Sequence, residues 1–108
     1  MAAQAEPKFF FTDSNTAPWL SSKVDRRVKV KNLGKANGRA MQLVRFEPGA
    51  VFPTHVHNGP EFIFLLEGDA IQNGQRLTAG WAGVAEQGTV DEEFHSETGC
   101  LFLLHYSV

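Results

Sequence analysis

The sequence predicts an all-β domain folded as a closed or two-sheet barrel, on three observations. Turn residues recur at short intervals from Val24 onward: Asn32 to Gly34, Asn37-Gly38, Pro48-Gly49, Asn58-Gly59-Pro60, Gly68-Asp69, Asn73-Gly74, Gly80, Gly88 and Gly99. The stretches between them are a few residues long and alternating or wholly apolar, as in Ala40 to Phe46, Glu61 to Leu66 and Leu101 to Tyr106. No window of helix length carries an apolar stripe at i, i+3 and i+4, so strands are the only regular element the pattern supports.

Taken in order, Met1 to Lys8 is small, polar and proline-containing, and reads as a loose leader before a single domain over 9–108. Phe9-Phe10-Phe11 opens the domain. Three consecutive Phe cannot all face one side of a strand, so either a second chain covers part of them, giving a homodimer, or the segment crosses a barrel end and is covered on both faces. The basic residues Lys23, Arg26, Arg27, Lys29 and Lys31 read as the solvated face and flanks of the next strand. In the strand to Phe46, parity separates Met41, Leu43 and Arg45 from Gln42, Val44 and Phe46; in the strand from Glu61 it separates Glu61, Ile63 and Leu65 from Phe62, Phe64 and Leu66. Asn73-Gly74, between Ala70-Ile71-Gln72 and Gln75-Arg76-Leu77, is a two-residue hairpin signal. The last strand carries His105 opposite Cys100, Phe102, Leu104 and Tyr106, where it reads as an ordinary imidazole.

Chemistry concentrates in Gly49-Ala-Val-Phe-Pro-Thr-His55-Val-His57-Asn-Gly-Pro-Glu61 and on to Gly68. Alternate residues of a strand share a face, so His55 and His57 project together. The Asn58-Gly59-Pro60 turn, between two short apolar strands, brings the Glu61 carboxylate back toward them. Neutral imidazoles plus a carboxylate suit a divalent first-row ion, iron, zinc, nickel or manganese.

Gly49, His55, His57, Glu61 and Gly68 are spaced as in the first motif of the cupin superfamily, which this run resembles. The flanking text, Gly38-Arg39 through Leu43 to Ala50 and later Gly99 to Leu103, is similar to the cupin domain of ChrR-type anti-sigma factors and of acetylacetone-dioxygenase-like cupins, over roughly Trp19 to Tyr106. The resemblance implies a jelly-roll (double-stranded β-helix) barrel with one central metal, held by two His, a Glu and a His from a second motif. It also implies a small-molecule ligand or substrate: either a metal-dependent dioxygenase or a sensing module without catalysis.

At the second motif the chain departs from the family pattern of Pro, Gly and His. Its counterpart is Glu86-Gln87-Gly88-Thr89-Val90-Asp91, with Asp91 where the fourth ligand belongs and His95 four residues on. In an extended strand, positions 91, 93 and 95 face one side. His95 is the expected fourth ligand, because imidazole is the family's donor there; Asp91 is the alternative.

Composition bounds the rest. Net charge is −2 with no dense basic block, so neither nucleic acid nor an anionic membrane finds an electrostatic footprint. Nine Phe against one Tyr predict a Phe-rich core. The single cysteine, Cys100, rules out an internal disulfide and reads as a small buried hydrophobe in a reducing, cytoplasmic setting. No signal-peptide pattern or membrane-length apolar run appears. Arg45 would orient an anionic ligand only if it faced inward; the outward position is the expected one.

Overall fold

The computed structural model describes residues 6–108. All its regular structure is β: β1 (Leu20–Ser21), β2 (Val28–Ala36), β3 (Arg39–Phe46), β4 (Val51–Phe52), β5 (His55–Val56), β6 (Glu61–Gln72), β7 (Gln75–Thr78), β8 (Ala82–Ala85), β9 (Val90–Asp91), β10 (Phe94–His95) and β11 (Cys100–Ser107). The main sheet runs β1-β2-β3-β11-β6, and β8 pairs with the first half of β6. The second half of β6 leaves that sheet and pairs with β7 and β10, and β10 pairs with β4. A small separate ladder joins β5 to β9. Every pairing is antiparallel.

Parity decides what each strand buries. Register aligns Val30, Val44, Phe102 and Leu65 in one row and Gln42, Leu104, Ile63 and Gly83 in the next. These rows form the inner face, opposed by Phe52 and Phe94 from the second wall. Phe46 packs edge-on against both Phe94 and Phe102, with ring centroids 5.1 and 5.4 Å away. Met41, Leu43 and Arg45 take the outer face. So do Phe62, Phe64 and Leu66, each more than a third exposed.

Asn37-Gly38 and Asn73-Gly74 adopt positive φ at both residues, joining β2 to β3 and β6 to β7 through the turns the sequence announces. Two punctuation marks act differently. Gly68-Asp69, expected as a turn between strands, lies inside the continuous β6. Gly68 has φ +75°, and a Cβ there would sit 2.2 Å from the Gly99 carbonyl oxygen, so the strand bends from one sheet into the other only because this residue is glycine. The strand expected ahead of Asn58-Gly59-Pro60 is broken at Pro53, which lacks the N–H to continue it, and its second piece pairs with β9 rather than with β6.

Residues 6–19, ahead of β1, form an irregular arm. Of the expected leader, residues 1–5 lie outside the described residues. Phe9, Phe10 and Phe11 are 91%, 58% and 90% exposed, so the Phe run does not cross a barrel end as one reading anticipated. The arm is anchored further along: Lys31 donates to the Ser14 carbonyl, and its ammonium lies 4.8 Å from the centre of the Trp19 ring, which Arg45 also covers. Lys31 is therefore nearly buried instead of solvated as expected, while Arg45 stays on the outer face. Among the described residues no helix is long and apolar enough to cross a membrane.

Candidate metal centre

The β5–β9 ladder places the first donors. His55 and Asp91 are cross-strand partners, and their neighbours Val56 and Val90 point outward, 56% and 42% exposed. Backbone bonds from His57 N to Thr89 O (2.9 Å) and from Gly88 N to His57 O (2.8 Å) continue the ladder, putting His57 on the same side as His55. Glu61 joins from the start of β6. It shares the inward parity of Ile63 and Leu65, so its carboxylate turns inward toward the two imidazoles.

Together, one donor atom from each of His55, His57, Glu61 and Asp91 lies within 4.8 Å of the other three. His57 Nε2 touches Glu61 Oε2, and Asp91 Oδ2 stands 3.7 Å from His55 Nε2 and 3.8 Å from His57 Nε2. Ligands held about 2.1 Å from a common ion lie about 3 to 4 Å apart. The donors thus already stand near coordinating distances.

Hydrogen bonds choose which nitrogen each imidazole offers. His55 Nδ1 donates to the Pro53 carbonyl at 2.9 Å. His57 Nδ1 lies 3.1 Å from Thr89 Oγ1, whose own hydrogen is committed to the Glu86 carbonyl at 2.7 Å, so the imidazole must be the donor. Both rings therefore carry a proton on Nδ1, which leaves Nε2 as the nitrogen each turns into the cluster, the arrangement metal-binding histidines use.

His57 and Asp91 are only 7% and 4% exposed; among the described residues, Asp91 Oδ1 is buried without a hydrogen bond, and His57 Nε2 has no close polar neighbour but the acidic oxygens of Glu61 and Asp91. An orphaned polar atom at such depth is costly, and a cation among these donors would satisfy Asp91 Oδ1 and draw the crowded oxygens and Nε2 onto itself. Burial also raises the Glu61 carboxyl above the usual carboxylate range, against the pull of His57 and His55. The donor set thus fits a divalent ion.

His95, the expected fourth donor, is not in this group. Glu93 has φ +47°, which interrupts the extended backbone between positions 91 and 95 and cancels the parity that linked them. The residue facing the interior on β10 is Phe94, 4% exposed and paired with Phe52. His95 pairs instead with Val51 and Ile71, and its Nδ1 donates to the Glu93 carbonyl at 2.8 Å.

Three supporting residues carry no signal in the motif spacing. Thr89 fixes the His57 tautomer. Gln72 donates to Asp91 Oδ2 at 3.2 Å from the far end of β6. The Asn73 side chain clasps the backbone on both sides of Asp91, donating to Val90 O at 3.0 Å and accepting from Glu92 N at 2.6 Å. Asn73 was legible only as a turn residue.

The cluster lies between two cavities. One, of about 260 Å³, is the barrel interior: it meets His55, Glu61 and Asp91 and is walled mainly by Val44, Phe52, Ile63, Phe94, Phe102 and Leu104. The other, of about 320 Å³, lies beside β7 and β8 and meets His57, Glu61 and Trp81. An ion held by the four donors would be reachable by a small molecule, the arrangement usual for ligand sites.

Among curated proteins, no sequence matches this chain. Solved structures do match. A candidate acetylacetone dioxygenase from Methylibium petroleiphilum aligns with TM-score 0.89 at 16% identity, covering 98% of this chain and 81% of that one. An acetylacetone dioxygenase from Acinetobacter johnsonii aligns with TM-score 0.79 at 14% identity, over 99% and 78%. The anti-sigma ChrR–SigE complex of Rhodobacter sphaeroides aligns with TM-score 0.75 at 21% identity, over 88% and 51%. At these identities the likeness is one of fold, the cupin jelly roll. The family model of the ChrR cupin-like domain matches residues 7–107, nearly the whole chain, and the chain therefore belongs to that family of cupins.

Proposed function

We propose that this protein is a metal-dependent enzyme acting on a small organic molecule, of the dioxygenase kind, with His55, His57, Glu61 and Asp91 holding one divalent ion. The observation that carries the reading is a four-donor cluster that opens onto an apolar cavity and holds a buried, unpartnered carboxylate oxygen, Asp91 Oδ1. The fold likeness to acetylacetone dioxygenases supports the choice of reaction class. Iron, manganese, nickel and zinc all suit two imidazoles and two carboxylates. When bound, such an ion supplies a Lewis acid that polarises an oxygen-bearing substrate.

The chain's own residues do the rest. Thr89 and the Pro53 carbonyl hold the imidazoles in the coordinating tautomer, and Gln72 and Asn73 hold Asp91 in place. The Phe52, Phe94 and Phe102 wall excludes water from one side of the centre, which strengthens every electrostatic contact there.

Elemental analysis of protein purified without chelator, beside His57→Ala, is the test. Near-stoichiometric metal in the parent and a loss in the variant is the expected result; equal content in both would remove the reading. Iron, together with oxygen consumption on a small diketone, supports the dioxygenase. Metal without turnover would move the protein to a sensing module of the kind the ChrR cupin family suggests, in which occupancy alters contacts with a partner. The reading includes a homodimer, carried by the exposed Phe9 and Phe11, and a reducing, cytoplasmic setting, carried by the single buried Cys100.

A further inference from the structure

The charge of the donor set limits what the centre can take. His55 and His57 each carry a hydrogen on Nδ1, bonded to an acceptor, so each would meet an ion through an uncharged Nε2 lone pair, and the charges the four donors would bring to a loaded centre are the Glu61 and Asp91 carboxylates. A divalent ion among them gives a formally neutral centre, two positive charges against two negative. Three imidazoles and one carboxylate, the set the family resemblance implies, would leave one positive charge. The surroundings do not restore it. Among the described residues, no lysine or arginine lines either cavity; the polar side chains of the inner one beyond the cluster are the uncharged Ser22, Gln42 and Gln72. The nearby basic residues are engaged on the outside, Lys31 and Arg45 at Trp19 and Arg39 at His105. An anion entering here would be a buried charge with nothing to balance it, whereas a neutral donor brings no such cost.

From this balance we infer that the centre takes uncharged ligands, neutral organic molecules with a carbonyl or hydroxyl oxygen to offer, and discriminates against carboxylates, phosphates and other anions, with Asp91 as the residue that sets the discrimination. The inference rests on the metal reading above, and its test separates the two.

The protein is loaded with Co²⁺, whose visible absorption responds to a change at the ion, and titrated at saturating cobalt with azide as anionic probe and imidazole as neutral probe. Parent, Asp91→Asn and Asp91→His are compared; either substitution adds one positive charge to the loaded centre, and Asn keeps the shape of the side chain. Azide is expected to bind both variants about tenfold or more tighter than the parent, while imidazole affinity stays within about threefold across the series. Azide binding the parent as tightly as the variants overturns the inference, as does an equal gain for imidazole. If Asp91→His fails to give a folded spectrum by circular dichroism, the Asn comparison decides alone. A parent that takes up no cobalt, or a His57→Ala variant that takes it up equally well, brings down the metal reading and this inference with it; cobalt uptake with equal azide affinities brings down only the ligand class.

Discussion

At the scale of single residues, the centre depends on hydrogen bonds as much as on donors. Thr89 accepts from His57 Nδ1 and passes its own hydrogen to Glu86, so Thr89→Val leaves the imidazole free to turn or change tautomer. Metal affinity is expected to fall about tenfold or more by competition titration, with the thermal midpoint little changed; unaltered affinity would remove Thr89 from the account. Cys100 offers a second check. It is buried, and burial pushes its thiol up to about 11 from an ordinary 9.0. The unfolded chain loses this proton first as pH rises, so the contribution of Cys100 to stability is constant below about 9 and is lost between about 9 and 11. Urea midpoints across that window should decline in the parent and decline less in Cys100→Ala; parallel curves would mean the thiol is not held neutral. His55, His57 and Glu61 were legible because strand parity and one turn are local. Which of Asp91 and His95 stands beside them was not, because it hangs on the positive φ of Glu93, a residue type that gives no warning of it.

Among the elements, β6 governs the arrangement. Its first half lies between β11 and β8, its second between β7 and β10, and the bend at Gly68 lets one strand supply Glu61 to one wall and Gln72 to the other. Gly68→Ala would combine a left-handed φ with a collision against the Gly99 carbonyl, at a cost of about 3 kcal/mol or more in urea unfolding. A loss under about 1 kcal/mol would show that the backbone relaxes there easily. The sequence marks this bend with the same Gly-Asp pair that marks a turn, since both need positive φ. Only the closeness of Gly99, far along the chain, separates the two. The Asn-Gly hairpins were legible because a type I′ turn places that demand on two adjacent residues.

At the scale of the whole molecule, the barrel and the division of its strands into two faces followed from period-2 patterning, though not which face lines the interior, and the Phe-rich core holds only part of the Phe. Phe46, Phe94 and Phe102 are buried, while Phe9, Phe10, Phe11, Phe62 and Phe64 are exposed. Composition counts side chains and does not say which surface they cover. On the homodimer reading, a second copy would bury part of this exposed set. Replacing Phe9 and Phe11 by Ser is expected to convert a dimer into a monomer by light scattering without altering the circular dichroism spectrum; a parent already monomeric at micromolar concentration would end the homodimer reading. The small β5–β9 ladder has a consequence for time rather than structure. His55 and Asp91 sit opposite each other on a ladder of two residues a side, so on the metal reading an ion shared by them would act as a latch, lengthening the life of the finished barrel by making the parting of that short ladder slower.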